Sequence, residues 1–367
     1  MSIVYVGMDV HKNSFTLCGL YRNGETTRFL RNKQTNPSVD AVVRYVNEAR
    51  KEFGEDVKVL CCYEAGCLGY YLERQLQVRN IPCVIVATDT SMNKGKKNDR
   101  RDAHSLAHNL DSAEYKSVHI PTPEDEAVRE YIRMRYSYKQ ELKRTKNEIL
   151  ALCLRHGFKY DGKTNWTTHH IAWMKKIDWK LPILAETFKE YLARYDWLKM
   201  RINDQDAMIE SLAQKTEYRE AVKKLCCFMG IKVHTALSLL VEIGDFRRFA
   251  TAYAFCMYLG LTPSEDSSGS KGHYGAITKK GNSYIRRLLV EAAQCFSRTR
   301  KGFKSAALKQ RQAGMPADII RYADKANERF KAKYLRVNMR SHRNVAVVAV
   351  AREMACFIWG MMTDRIA

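Results

Sequence analysis

No uninterrupted apolar run in this chain approaches the roughly 18 residues that a membrane helix needs, and no leader-like segment is visible. A membrane span or an exported protein is therefore not expected, and a cytoplasmic setting is. Cysteine is present, but its pairing motifs are missing: the 11 cysteines, an odd number, include no C-x-x-C. They sit in apolar runs (Cys61, Cys62, Cys226, Cys227, Cys356), which reads as reduced core thiols rather than disulfides or a zinc site. His104 and His108 are spaced i, i+4 but lack a third soft ligand at a zinc-like spacing, so they read as ordinary helix residues. Acid is what the chain is short of. Lys+Arg 62 against Asp+Glu 40 gives +22 at pH 7. Such an excess calls for a polyanionic partner, nucleic acid before an acidic membrane surface.

At 367 residues and 46% hydrophobic content the chain exceeds what one core usually serves, and two or three domains are expected. Residues 1–118 read as mixed α/β. Ile3 to Met8 is a strand-like run; Ser14 to Leu20 and Thr26 to Leu30 flank an Asn23-Gly24 hairpin turn. Ser38 to Glu52 reads as a helix with Ser38 as N-cap, Val57 to Tyr63 as a strand, Leu68 to Val78 as a helix and Cys83 to Ala87 as a buried strand. Pro121-Thr122-Pro123 marks a boundary. Residues 119–224 carry two long helical seams, Glu124 to Arg155 and Leu184 to Leu212. Between them lies a tryptophan-bearing tip (Trp166, Trp173, Trp179). Their 3-4 spacing fits an antiparallel hairpin, a dimer coiled coil or two helices of a bundle. Residues 225–367 read as mainly helical, with helices over Thr235 to Ile243, Phe246 to Tyr258, Ser283 to Phe296 and Val345 to Met362. A polar loop from Ser264 to Gly272 interrupts them.

Asn98-Asp99-Arg100-Arg101-Asp102-Ala103 resists explanation as packing. Asp99 and Asp102 lie three apart, on one face if helical. Lys94, Lys96, Lys97, Arg100 and Arg101 crowd the same stretch. A solvated helix face mixes charges in this way. Two further acids shift the balance, because each closes an apolar strand: Asp9 after Ile3–Met8, and Glu64 after Val57–Tyr63. Strand ends of α/β sheets are where sites gather. If the four converge they repel, at about 4 kcal/mol for a pair about 4 Å apart at an effective dielectric near 20. Such a cleft calls for hard divalent cations, Mg²⁺ or Mn²⁺, and two of them form the clamp used in phosphoryl transfer.

The C-terminal region adds bases. Gly230-Ile231-Lys232-Val233 is similar to half of a helix-hairpin-helix, with Lys232 where that turn wants a second glycine. Lys271, Lys279, Lys280, Arg286 and Arg287 surround or follow the polar loop and are candidates to hold phosphates. From Arg298 to Arg343 fourteen bases face three acids (Asp318, Asp324, Glu328), and Phe303, Tyr322, Phe330 and Tyr334 interleave with them. That pattern suits a nucleic-acid surface.

Gly7-Met8-Asp9-Val10-His11-Lys12, Tyr63-Glu64-Ala65-Gly66 and Lys97-Asn98-Asp99-Arg100-Arg101-Asp102-Ala103 together resemble the DEDD tetrad of the IS110/IS1111 family of bacterial insertion-sequence transposases, which includes the Piv-type invertases. Gly260-Leu261-Thr262-Pro263, Ser268-Gly269, Lys280-Gly281 and Ile285-Arg286-Arg287 resemble the same family's C-terminal domain. The resemblance implies a RuvC-like RNase H fold for the first domain, with Asp9, Glu64, Asp99 and Asp102 as ligands of Mg²⁺ or Mn²⁺. It also implies a serine nucleophile, matched by position to Ser268, with Ser267 and Ser270 as alternatives beside it. DNA as element ends and target, a structured guide RNA, a homodimer or tetramer and a nucleoid-associated cytoplasmic setting follow in the same way. Lys232 departs from the family pattern, and the basic stretch after residue 298 aligns to no family motif.

The residues leave rivals standing. A metal-dependent nuclease of the Holliday-junction-resolvase type would use the same acids with water as nucleophile. A basic scaffold on an inactive fold would leave four intact acids unexplained. A sugar-kinase-like ATPase would want Asp-x-Gly where Asp9-Val10-His11 stands.

Overall fold

The computed structural model describes residues 2–88, 98–268 and 271–366, without the side chains of 266–268 and 271–274. Two compact units divide between Ile120 and Pro121, at the expected proline boundary.

The first unit is built on alternation. In β1 (Ile3–Val10) the side chains of Val4, Val6 and Met8 enter one core, and Tyr5 packs against another on the opposite face. β1 pairs antiparallel with β2 (Phe15–Asn23), which turns at Gly24 (φ 56°) into β3 (Thr26–Phe29). β4 (Lys33–Thr35) pairs with the start of β2; three polar residues gave it no hydrophobic signal. α1 (Val39–Phe53) is capped as expected, the Ser38 hydroxyl accepting from the Ala41 amide at 3.1 Å. β5 (Lys58–Glu64) and, after α2 (Tyr71–Val78), β6 (Cys83–Val86) extend the sheet in parallel, giving the order β3-β2-β1-β5-β6.

α1 and α2 contribute Val42, Val46, Leu72 and Leu76 to the core with Val4, Val6 and Met8. α3 (Asp99–Asp111) lies on the other face, its Leu106 and Leu110 clustering with Cys62. Asn98 caps it by accepting from the Arg100 amide at 3.0 Å, so Asp99 and Asp102 both fall in its first turn. Arg22 grips Asp111 with two bonds of 2.8 and 2.7 Å, and the Phe29 ring stacks on His104 at 3.7 Å.

In the second unit α4 (Pro123–Arg155) and α6 (Pro182–Leu212) pair antiparallel: Arg135 bonds Asp206, Tyr138 meets Trp197, and Arg194 bonds Thr145. α5 (Thr168–Met174) and the tip form a small core of their own around Met174, Trp179 and Phe188. The inner ends of the long helices (Val128, Ile132, Ile209) join a larger core with α7 (Thr216–Cys226) and α8 (Val233–Ile243). The expected helix from Phe246 to Tyr258 is broken: a 3-10 turn at Phe246–Arg248 precedes α9 (Ala252–Tyr258), which Thr251 caps.

The stretch expected as a polar loop is an antiparallel hairpin, β7 (Pro263–Ser268) with β8 (Lys271–Ile277). Its residues carry little β-propensity, so backbone pairing holds it without a sequence signal. α10 (Ser283–Ala293), α11 (Ala306–Gln312), α12 (Ala317–Asn338) and α13 (Arg343–Met362) complete the unit. The interleaved aromatics expected at a nucleic-acid surface divide: Phe330 and Tyr334 are core and Tyr322 packs on Phe357, while Phe303 is 55% exposed. By length and composition α13 is the one described helix able to cross a membrane, which amends the expectation of no such stretch. More than half of its apolar window is buried, through Val347, Val350, Ala351 and Met354, as in a core helix. All eleven cysteines are free.

Candidate functional site

Gly7 sets the geometry of the first unit. A Cβ there would lie 2.1 Å from the Ala103 carbonyl oxygen, 2.4 Å from the Ala107 nitrogen and 2.9 Å from the Leu106 Cβ. Only glycine lets α3 lie this close to β1. Two residues further along the same strand face stands Asp9. The first turn of α3, with Asp99 and Asp102, thereby arrives beside it. Glu64 shares that face by the alternation that puts Cys62 in the α3 cluster and Tyr63 in the opposite core. The β1–β5 register ends at Met8↔Tyr63, so Asp9 and Glu64 are the next residues at the carboxyl ends of two neighbouring parallel strands.

Asp9, His11 and Asp99 each offer a ligand atom, and these lie within 4.8 Å of one another. The His11 Nε2 is 3.1 Å from the Asp9 carboxylate, whose side chain is 15% exposed. Burial raises the Asp9 pKa above the usual carboxylate range; the charges of Asp99 and Asp102 push the same way, and His11 opposes them. The structure thus brings Asp9, His11 and Asp99 together, while Asp102 follows in the same first turn of α3 and Glu64 is exposed at the adjoining strand end. A half-buried set of carboxylate oxygens suits a hard divalent ion, so the residues present fit Mg²⁺ or Mn²⁺. His11 was not singled out from the sequence; its place two residues after Asp9 was the available signal. Arg100 and Arg101 are exposed on α3. Lys94, Lys96 and Lys97 lie outside the described residues.

The second unit holds the serine segment. Ser268 is the last residue of β7, and its backbone pairs with Lys271; Ser270 and the side chains of Ser267, Ser268 and Lys271 lie outside what is described. The base of the hairpin is fixed firmly. The Thr278 amide donates to the Thr262 carbonyl at 2.9 Å and the Lys279 amide to Gly260 at 3.1 Å. Gly260 (φ 63°) and Gly281 (φ 87°) allow the close approach; a Cβ on Gly281 would meet the Tyr258 oxygen at 2.0 Å. Lys279 and Lys280 are exposed beside this turn. Arg286 donates to the Leu259 carbonyl at 2.7 Å, and burial lowers its pKa. Arg287 bonds Glu291 at 2.8 Å and lies 3.9 Å over the Tyr136 ring. Lys232 is exposed at the start of α8 and, with Lys139, Lys143 and Arg287, lines a cavity of about 700 Å³.

Comparison with known proteins matches both regions. A family model of DEDD type for IS110, described as a transposase, covers residues 6–158. A second, described as the transposase IS116/IS110/IS902 family, covers residues 222–307. The chain is 30% identical over 347 residues to the transposase for insertion sequence element IS1533 of Leptospira borgpetersenii, covering 90% of this chain and 95% of the relative. It is 29% identical to the putative transposase y4qE of Sinorhizobium fredii over 98% of this chain and 88% of the relative. It is also 25% identical to the transposase for insertion sequence element IS1111A of Coxiella burnetii, over 99% and 90%.

Proposed function

This chain belongs to the IS110 family of insertion-sequence transposases, and from that premise we propose that it cuts and rejoins DNA through a covalent phosphoserine link assisted by divalent metal. The observation that carries the metal half is the placement of Asp9, His11 and Asp99 within 4.8 Å, with Asp102 close enough to raise the Asp9 pKa. The strand order β3-β2-β1-β5-β6 with α3 against β1 supports a RuvC-like RNase H fold for residues 1–118. Residues 119–224 then serve as spacer and residues 225–367 as the serine-bearing domain.

In this reading Asp9, Glu64, Asp99 and Asp102 hold Mg²⁺ or Mn²⁺, and His11 orients Asp9. The bound metal supplies neutralisation of phosphate charge and of the leaving oxygen. The Ser268 oxygen attacks the phosphorus; a Ser–O–P bond forms, the P–O3′ bond breaks, and the serine proton ends on the 3′ hydroxyl. The reverse attack by a new 3′ hydroxyl rejoins the strands, and the link conserves the bond energy, so no ATP is required. Lys279, Lys280 and Lys232, all exposed, hold DNA phosphates together with Lys271, Arg286 and Arg287. Lys94, Lys96, Lys97, Arg100 and Arg101 do the same at the acid stretch. A structured RNA from the element guides the choice of DNA, and a dimer or tetramer holds element and target together.

The test is a denaturing gel of the protein with Mg²⁺, element-junction DNA and transcripts of the element's flanks. A protein–DNA adduct lost in both Ser268→Ala and Asp9→Ala supports a serine nucleophile that depends on the metal-holding acids. An adduct that needs the transcript adds the guide. Cleavage without an adduct, insensitive to Ser268→Ala, replaces this reading with the water-attack nuclease.

A further inference from the structure

Lys331 is one of the fourteen bases that the sequence offers to solvent, yet it is 8% exposed. Its ammonium donates to the Phe296 carbonyl at 2.9 Å and lies 5.4 Å from the Tyr334 ring. Among the described residues no carboxylate comes within ion-pair range of it. An ammonium has three donors, so a buried one with a single carbonyl partner is short of both bonds and counter-charge.

The same place holds two unpartnered polar groups. Asn327, 7% exposed, accepts from the Met229 amide at 2.9 Å through Oδ1, and its buried Nδ2 has no partner. The buried Thr299 Oγ1 also has none. Buried polar groups are normally paired, so two unpartnered donors beside an ammonium with one partner point to a missing acceptor. All three residues line a cavity of about 130 Å³ between the segment 298–305 and α12. That is close to the roughly 150 Å³ known to admit a benzene-sized molecule. Two acids also line it: Asp324, engaged by Lys304 at 2.8 Å and Gln312 at 3.0 Å, and Glu328, which is exposed. Phe303, 55% exposed, and the exposed Arg300 stand at its mouth, where Gly302 turns the chain at φ 74°.

We infer that this cavity seats the phosphate of an unpaired nucleotide of the nucleic-acid partner, with the base stacked on Phe303. Lys331, Asn327 Nδ2 and Thr299 Oγ1 supply donors to the phosphate oxygens; Arg300 adds charge at the rim. A phosphate in a duplex presents no free base to Phe303, so the site selects single-stranded over double-stranded segments. This rests on the transposase reading for the presence of nucleic acid, and goes beyond it in the segment and strandedness it names.

The test uses the full chain and fluorescence anisotropy with labelled single-stranded DNA, single-stranded RNA and a blunt duplex. Phe303→Ala, at an exposed position, is expected to weaken single-strand binding about 5- to 150-fold, the loss of one stacked base, and duplex binding by less than about 3-fold. Thr299→Val, nearly isosteric, is expected to weaken it about 5- to 10-fold. The strand type that shows the loss identifies DNA or RNA as the source. Unchanged single-strand affinity in both variants, or equal losses on duplex, overturns the pocket while leaving the transposase reading intact. A wild-type protein that binds neither form overturns both.

Discussion

The carbonyl oxygen of Ala103 lies 2.1 Å from where a methyl group on Gly7 would be. That contact is what brings the first turn of α3 against the end of β1, and it cannot be kept by any other residue. Gly7→Ala must move α3 or bend the strand. Overpacking of this kind costs about 1–3 kcal/mol. The expected result is a lower Tm for the first unit and weaker Mg²⁺ or Mn²⁺ binding by calorimetry. Unchanged metal binding would show that α3 does not position the acids.

Asp9→Asn removes one of several like charges held close together while keeping side-chain volume and an acceptor for His11. In EDTA its Tm is expected to rise by about 2–4 °C, as for other sites where function opposes stability. Wild-type protein should gain stability from saturating Mg²⁺, about 2.7 kcal/mol at a hundredfold excess over Kd, and the variant should gain little. Strand cleavage by the variant is expected to fall at least about 100-fold. Equal metal stabilisation of both proteins counts against Asp9 as a ligand.

Glu242 is buried at the junction of α4, α8 and α10. It accepts two bonds from Arg133, at 2.7 and 2.9 Å, and one from the Asn282 side chain at 2.9 Å. Asn282 in turn caps α10 by accepting from the Ile285 amide. Glu242→Ala should destabilise the second unit by about 1–3 kcal/mol, at the lower end because Arg133 is 45% exposed. Urea denaturation measures it, and a change within about 0.5 kcal/mol would mean the network is dispensable.

His234 lines the basic cavity, and its pKa is lowered to about 4, first by burial and then by Arg135, Arg287 and Lys139, with Asp206 opposing. Folding therefore favours the neutral ring. Its contribution is fully present above the ordinary histidine range and is lost as pH falls through that range toward about 4. His234→Gln should flatten the stability profile of the second unit between pH 7 and pH 4, read by thermal melts across that window. A slope that persists would place the titration elsewhere.

Much of this protein lies within local reach of its sequence. Alternating and continuous apolar runs mark β1, β5 and β6, Asn23-Gly24 marks the first hairpin, Ser38 caps α1, and Pro121 marks the division into units. Each is a near-neighbour effect: pleat periodicity, turn stereochemistry, an unsatisfied helix end. The acids could likewise be read as strand ends and a helix turn.

What only the tertiary structure decided is which of these meet. β7 and β8 pair by their backbones across largely polar residues, which hid them. Thr251 breaks a helix that periodicity ran straight through. Among the bases after Arg298 nothing local separates Lys331, buried against the Phe296 carbonyl, from its solvated neighbours. Of the aromatics beside them, Phe330 and Tyr334 go to the core and Phe303 to the surface. Residue type fixes what a side chain can do. Whether it faces water, another charge or an empty cavity depends on contacts made by residues far away in the chain, as Gly7 and Ala103 are.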